Sequence, residues 1–278
     1  MYRPNRLKAR IRAGEKSFGT WLQSGAATFA EIAGIAGFDF FILDQEHGIG
    51  DLNAAVDSMR AAACTHATGM VRVPSSHPTY VKRLVDAGIE GILVPMVETA
   101  AQAKEVVDAC RYPPLGNRGN AADIARCSSY GLVPDYLARA DDNLLIAVQI
   151  ETATAVRNAR EIAAVDGVDL VFIGPTDLSG SIGLMGQTGH PKVEALIAET
   201  VAAAREVGKP LGTVPRQGRS WQQLFDEGFV FVATGSEIYS YRMAMLELMG
   251  AWRTYSGATP APATGAPGSY GTRQPLTS

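Results

Sequence analysis

Short apolar and β-branched runs alternate along this chain with longer stretches in which apolar residues recur every three or four positions. The runs are SFGTWL (17–22), FDFFILD (38–44), GMVRVP (69–74), EGILVPMV (90–97), LLIAVQIE (144–151), DLVFIGPTD (169–177), KPLGTVP (209–215) and FVFVATGSE (229–237). Near-continuous apolarity of this kind fits strands buried on both faces, as in a parallel sheet. The intervening stretches supply crossover helices: TFAEIAGIAG, LNAAVDSMRAAAC, TYVKRLVDAG, TAAQAKEVVDAC, TATAVRNAREIAAV, PKVEALIAETVAAAREVG, SWQQLFDEG and YRMAMLELMGAW. Several start beside Thr or Ser and stop at Gly, the usual cap chemistry. Eight β-α units predict an α/β fold, a closed (β/α)8 TIM barrel over residues 1–256. An open doubly wound sheet is the alternative, but neither G-x-G-x-x-G nor G-x-x-x-x-G-K-[ST] occurs.

Two regions fall outside the pattern. Residues 111–143, opening RYPPLGNRGNAAD, are too long for an ordinary connection, and insertions of that size often serve as lids or subunit contacts. Residues 257–278 are rich in Pro, Gly, Ala and Thr and are expected to be a disordered tail without catalytic groups.

A length of 278 residues accommodates two small domains or one barrel of about 250 residues, so the repeat pattern decides. With 46% hydrophobic and 19% charged residues the chain can bury a large core. A net charge of −3 and a pI near 5.8 leave no basic footprint for nucleic acid. Cys64, Cys110 and Cys127 make no C-x-x-C pair, and their odd number suits a reducing compartment. The basic start MYRPNRLKARIRAG lacks a following apolar segment, and no run reaches the roughly 18 residues of a membrane span, so a cytoplasmic protein without membrane attachment is expected.

In a barrel the active site gathers at the C-terminal strand ends. Polar residues stand there in force: Gln23 after the first run, Asp44, Glu46 and His47 after the second, Arg72 in the third, Gln149 and Glu151 in the fifth, Asp177 in the sixth, Thr213 and Arg216 around the seventh. Any one of them alone is more often a helix cap or a packing residue. Together they suggest a reaction. Glu151 and Asp177 offer hard oxygen ligands to a divalent metal such as Mg2+ or Mn2+, with about four octahedral positions left for water and a chelating 2-oxo acid. Arg72 is placed to offset enolate charge, and His47, oriented by Asp44, to move protons near neutrality. Lys8, Lys16, Lys82, Lys104, Lys192 and Lys209 all avoid strand C-termini, so Schiff-base chemistry is disfavoured and a metal takes the role of electron sink.

DQEHG (44–48), VRVP (71–74), LVPMVETAAQA (93–103), RYPPLGNRG (111–119), QIET (149–152) and GPTDLSGSIG (174–183) together resemble the HpcH/HpaI aldolases, metal-dependent class II pyruvate aldolases, over roughly residues 15–255. The resemblance implies a barrel assembled as a homohexamer, a trimer of dimers that exchange the last helix. It implies a Mg2+, Mn2+ or Co2+ cofactor on Glu151 and Asp177, with Gln149 lining that site. His47 and Asp44 would be the catalytic dyad, and Arg72 would hold the keto or enolate oxygen. Backbone amides around Gly174, Pro175, Thr176 and Asp177 would hold the pyruvyl carboxylate, and Asp86 would reach toward a neighbouring subunit's site. Partners are then a small 2-oxo acid and an aldehyde, and the activity is carbon–carbon lysis of 4-hydroxy-2-oxo acids. Oxaloacetate decarboxylation, enolate-trapping synthesis and CoA-ester lysis are same-scaffold alternatives, and a non-catalytic oxo-acid-binding protein is a more distant one. The chain departs from the family in the basic TVPRQGRS after the seventh run and in TGSE (234–237) where G-x-D is more usual. From the first departure, Arg216 or Arg219 is expected to meet an anionic or hydroxylated acceptor tail.

Overall fold

The apolar runs become strands. In the computed structural model, which describes residues 2–257, β1 (Ser17–Leu22), β2 (Phe40–Asp44), β3 (Thr68–Arg72), β4 (Gly91–Val94), β5 (Leu145–Ile150), β6 (Leu170–Ile173), β7 (Leu211–Thr213) and β8 (Phe231–Ser236) close into a parallel barrel in sequence order. The fold is a (β/α)8 TIM barrel. Around and below the strands lie α1 (Arg6–Arg12), α2 (Ala27–Ile35), α3 (Leu52–Ala62), α4 (Pro78–Asp86), α5 (Ala100–Cys110), α6 (Tyr136–Asn143), α7 (Ala153–Arg157), α8 (Ala159–Ala164), α9 (Pro175–Ser181), α10 (Pro191–Glu206), α11 (Trp221–Asp226) and α12 (Glu237–Ser256). Capping boxes Thr99/Gln102 and Ser220/Gln223 start α5 and α11 where the sequence places them. The predicted helix TATAVRNAREIAAV is divided at Asn158 into α7 and α8.

Successive strand residues face opposite sides, which splits the apolar content into two cores. Phe41, Leu43, Val71, Ile92, Ile146, Val148, Val171 and Ile173 pack outward against the helices. Phe40, Ile42, Met70, Leu93, Leu145, Ala147, Leu170, Phe172, Phe231 and Ala233 fill the barrel. The inward phase then carries the chemistry: continuing it by two residues from Ile42 gives Asp44, from Met70 gives Arg72, from Ala147 gives Gln149 and then Glu151, and from Phe172 gives Gly174.

The basic N-terminus forms α1, which inserts Leu7 and Ile11 into the interior core, and Lys8 pairs with Asp169 at 2.9 Å below the strands. Residues 111–143 are not a lid over the mouth. They form a satellite core of Tyr112, Ala122, Cys127, Tyr136 and Ala140 with Tyr2, at the end of the barrel where Asn5 and Asn143 bond each other, opposite the strand C-termini. The tail predicted at 257–278 lies outside the described residues except for Gly257, which ends α12 at φ 66°. Among the described residues no helix is long and apolar enough to cross a membrane.

Candidate active site

At the end of β2 and β3, paired in register at Asp44 and Arg72, sits a buried ion pair. Arg72 donates from Nε to Asp44 Oδ1 at 2.9 Å and from Nη2 to Oδ2 at 2.7 Å, and its Nη1 lies 3.1 Å from Glu46 Oε2. The guanidinium also stacks 4.5 Å over the Trp21 ring. Bidentate pairing and an aromatic floor leave Arg72 little freedom. Burial raises the Asp44 carboxyl, but Arg72 and the backbone N–H groups of His47 and Glu46 outweigh it and hold it below the usual carboxylate range.

That geometry corrects the dyad as read from sequence. Asp44 meets His47 only through the backbone N–H, at 3.3 Å, because Arg72 occupies both carboxylate oxygens. The imidazole is 61% exposed, with Nε2 3.8 Å from Glu46 Oε2. Glu46 therefore faces inward, between the arginine and the histidine. Gln45 points the other way and is pinned by Tyr80 and the Asp51 carbonyl.

Across the mouth, Glu151 Oε2 accepts from the Gln149 amide, and Oε1 accepts from the backbone N–H of Met96 at 2.8 Å. Burial is the main cause that pushes the Glu151 carboxyl up to about 7, with Asp177 and Glu46 adding to it. Burial likewise raises Glu46, which feels Arg72, His47, Asp44 and Asp177. The two halves thus belong to one electrostatic cluster.

A cation fits the donors. Gln149 Oε1 is a buried acceptor without a hydrogen-bond partner among the described residues, and Glu151 is a desolvated carboxylate next to other acids, which a positive charge would relieve. A Cβ built on Gly174 would come within 2.7 Å of Glu151 Oε2 and 2.8 Å of Gln149 Nε2, so glycine keeps the cradle open. Among the described residues no group of three or more His, Cys, Asp or Glu is arranged to hold a metal ion. A cation would rest on Glu151 and Asp177, its other positions going to water and substrate. Gly174→Ala is expected to cost about 1–3 kcal/mol through overpacking, read as a lower denaturation midpoint. Gly250→Ala in α12, where nothing lies within 4 Å, is the control and should not destabilise.

Two contributors were missed in sequence. Trp21 looks like core, and its role comes from which way β1 faces. Met96 matters through its amide, which a left-handed backbone (φ 56°) just after Pro95 turns toward Glu151.

Residues 17–244 match the family model described as HpcH/HpaI aldolase/citrate lyase. The chain belongs to this family. It is 39% identical to a hydroxypyruvate/pyruvate aldolase of Agrobacterium fabrum, covering 93% of this chain and 96% of the relative. It is 38% identical to a 5-keto-4-deoxy-D-glucarate aldolase of Klebsiella pneumoniae, over 90% and 97%. A solved HpcH/HpaI aldolase/citrate lyase family protein from Burkholderia cenocepacia superposes with a TM-score of 0.85 at 33% identity, over 90% and 99%. As a member of the HpcH/HpaI family with aldolase relatives across almost its whole length, the protein is an enzyme, a lyase of the aldolase kind.

Asp86 ends α4 and pairs with Arg118 at 2.5 Å, beside Tyr136 and Cys127. One residue assigned from sequence lies elsewhere in this HpcH/HpaI barrel. Arg216 does not face the mouth. The chain after β7 turns back on itself between Arg216 and Arg219, which sends the Arg216 side chain outward to Glu194 of α10, at 2.7 and 2.9 Å. Although burial raises the Glu194 carboxyl, Arg216 holds it below the usual range. Thr213 is spent on the Ile173 carbonyl at 3.0 Å.

Proposed function

We propose that this enzyme is a divalent-cation-dependent pyruvate aldolase, which cleaves 4-hydroxy-2-oxo acids to pyruvate, or a close 2-oxo acid, and an aldehyde, and runs the reverse addition. The observation that carries the reading is the facing pair of sub-sites: an arginine immobilised by Asp44, Glu46 and Trp21, and a desolvated Glu151 with Gln149 and Asp177 across the same mouth. Glu151 and Asp177 would hold Mg2+, Mn2+ or Co2+, with Gln149 lining the site. When bound, the cation supplies a Lewis acid that polarises the 2-oxo group of the substrate.

Arg72 presents a fixed positive charge to the oxygen on which the enolate charge develops; because its partners already hold it, little reorganisation accompanies the reaction. Pro175 has no N–H, so Thr176 and Asp177 supply the first-turn amides of α9, beside Gly174, for the substrate carboxylate. His47 takes the C4 hydroxyl proton as the C3–C4 bond breaks. The electron pair of that bond becomes the enolate, C3 then takes a proton, and pyruvate results. Glu46, next to the ring, favours the imidazolium formed in this step.

A chelator is expected to abolish pyruvate release from a 4-hydroxy-2-oxo acid, with recovery on adding Mg2+, Mn2+ or Co2+. His47→Ala should lower kcat by about 10²–10⁴ with KM little changed. Activity that survives both treatments would reject the reading.

The proposed assembly draws its support from α12. Not one of its residues is buried, and Tyr241, Leu246, Leu248, Trp252 and Tyr255 stand exposed. An apolar helix face left exposed beyond its first turn has little to stabilise it, which supports exchange of α12 between partners, as in the trimer of dimers expected from the resemblance.

A further inference from the structure

A cavity opens between the mouth and the start of α12, lined by Trp21, Gln23, Arg72, Ser236, Tyr239 and Arg242 among others. Arg72 stands at the donor side of it, its charge already offset by Asp44 and Glu46. Arg242 belongs to the same wall, its guanidinium 5.4 Å over the Tyr239 ring. Among the described residues lining this cavity there is no carboxylate. Trp21 is 95% buried by its 5% exposure, and its indole N–H has no hydrogen-bond partner among the described residues.

The backbone carrying Arg242 is anchored to the site. Glu237, where a G-x-D ending is more usual, accepts the backbone N–H groups of Gln23 and Ser24 at 2.7 and 2.6 Å, tying α12 to the end of β1. Ser236 caps the helix by accepting from the Tyr239 N–H at 3.1 Å. Tyr239 and Arg242, three residues apart, share a helix face and turn it toward the cavity.

We propose that Arg242, flanked by Tyr239 and the Trp21 indole, binds a terminal anionic group on the acceptor aldehyde. The acceptors of this enzyme are then aldehydes with a carboxylate or phosphate remote from the carbonyl. This rests on the aldolase reading above, and it moves the anion site from the β7 turn, where Glu194 neutralises Arg216, to α12.

The test uses the full chain with pyruvate as donor and two acceptor pairs, 4-oxobutanoate with butanal and glyceraldehyde 3-phosphate with glyceraldehyde. Arg242→Gln is expected to lower kcat/KM about tenfold for the anionic member of at least one pair, with the neutral member unchanged within about twofold. Arg242→Lys should restore most of the loss. The pair that responds identifies carboxylate or phosphate as the source. Equal change in both members, or none in either, overturns the proposal. Titration calorimetry with succinate and with inorganic phosphate needs no turnover. Wild type should bind at least one of them about tenfold more tightly than Arg242→Gln, and equal binding overturns the proposal. Should wild type fail to exchange the C3 protons of pyruvate for deuterium with cation present, the aldolase reading falls, and the titration alone decides Arg242.

Discussion

Arg72→Ala is expected to lower kcat by at least about 10²–10³, the usual cost of deleting one preorganised donor to a developing oxyanion, and to destabilise the protein as well. Asp44 is 0% exposed, and both its carboxylate oxygens depend on Arg72. Removing one partner of a buried pair leaves the other charge desolvated, at about 3–5 kcal/mol. The two effects separate in further variants. Arg72→Lys keeps the charge but not the bidentate fork, so it should recover part of the stability and little of kcat. Asp44→Asn combined with Arg72→Ala removes the stranded charge and should regain stability with no regain of activity. Urea titration and steady-state kinetics on the same preparations read both quantities. A single Arg72→Ala variant within threefold of wild-type kcat would sink the role given to Arg72.

Glu151→Gln should combine loss of activity with loss of a pH-dependent part of the stability. Burial raises the folded carboxyl from an ordinary 4.5 to about 7. Between those values the folded protein keeps a proton that the unfolded chain releases. The stability associated with the neutral carboxyl is therefore fully present below about pH 4.5 and is lost as pH rises through 7. The span corresponds to about 3 kcal/mol at most. Metal-free wild type should thus lose stability between pH 5 and 8 relative to Glu151→Gln, which has no charge to bury. Mn2+ or Mg2+ should restore wild type at pH 8 and leave the variant unchanged. Cation affinity should rise with pH up to about 7 and level off above it. Thermal denaturation with and without cation measures all three. A wild type whose stability between pH 5 and 8 runs parallel to the variant's would overturn the account of Glu151.

Much of the site was legible because strand ends are punctuated in sequence: an apolar run stops, and ionisable groups follow. FFILDQEH and LIAVQIE show this directly. Direction was not legible. Strands buried on both faces have no polar side to mark their phase, so nothing in FFILD says whether Phe40 or Phe41 lines the barrel, and Trp21 passes as ordinary core. The Arg216 assignment failed for a related reason: a turn closed by backbone hydrogen bonds between residues 216 and 219 sets where the guanidinium goes, and a salt bridge to Glu194, 22 positions earlier, holds it there. Met96 and Arg242 carry no strand-end signal. One acts through a backbone amide, the other from a helix whose start is tied to β1 by Glu237.

The chain alone determined eight β-α repeats, the barrel they close, the order in which polar groups leave the strands, and the family they resemble, because periodicity and turn chemistry are local properties. Tertiary structure decided which carboxylate each cation meets. Asp44 took Arg72 rather than the His47 ring, Glu46 was left between them, and Glu151 was desolvated into a group titrating near 7. Such pairings depend on barrel closure, which places residues 28 positions apart in adjacent register and removes the water that would otherwise level their charges.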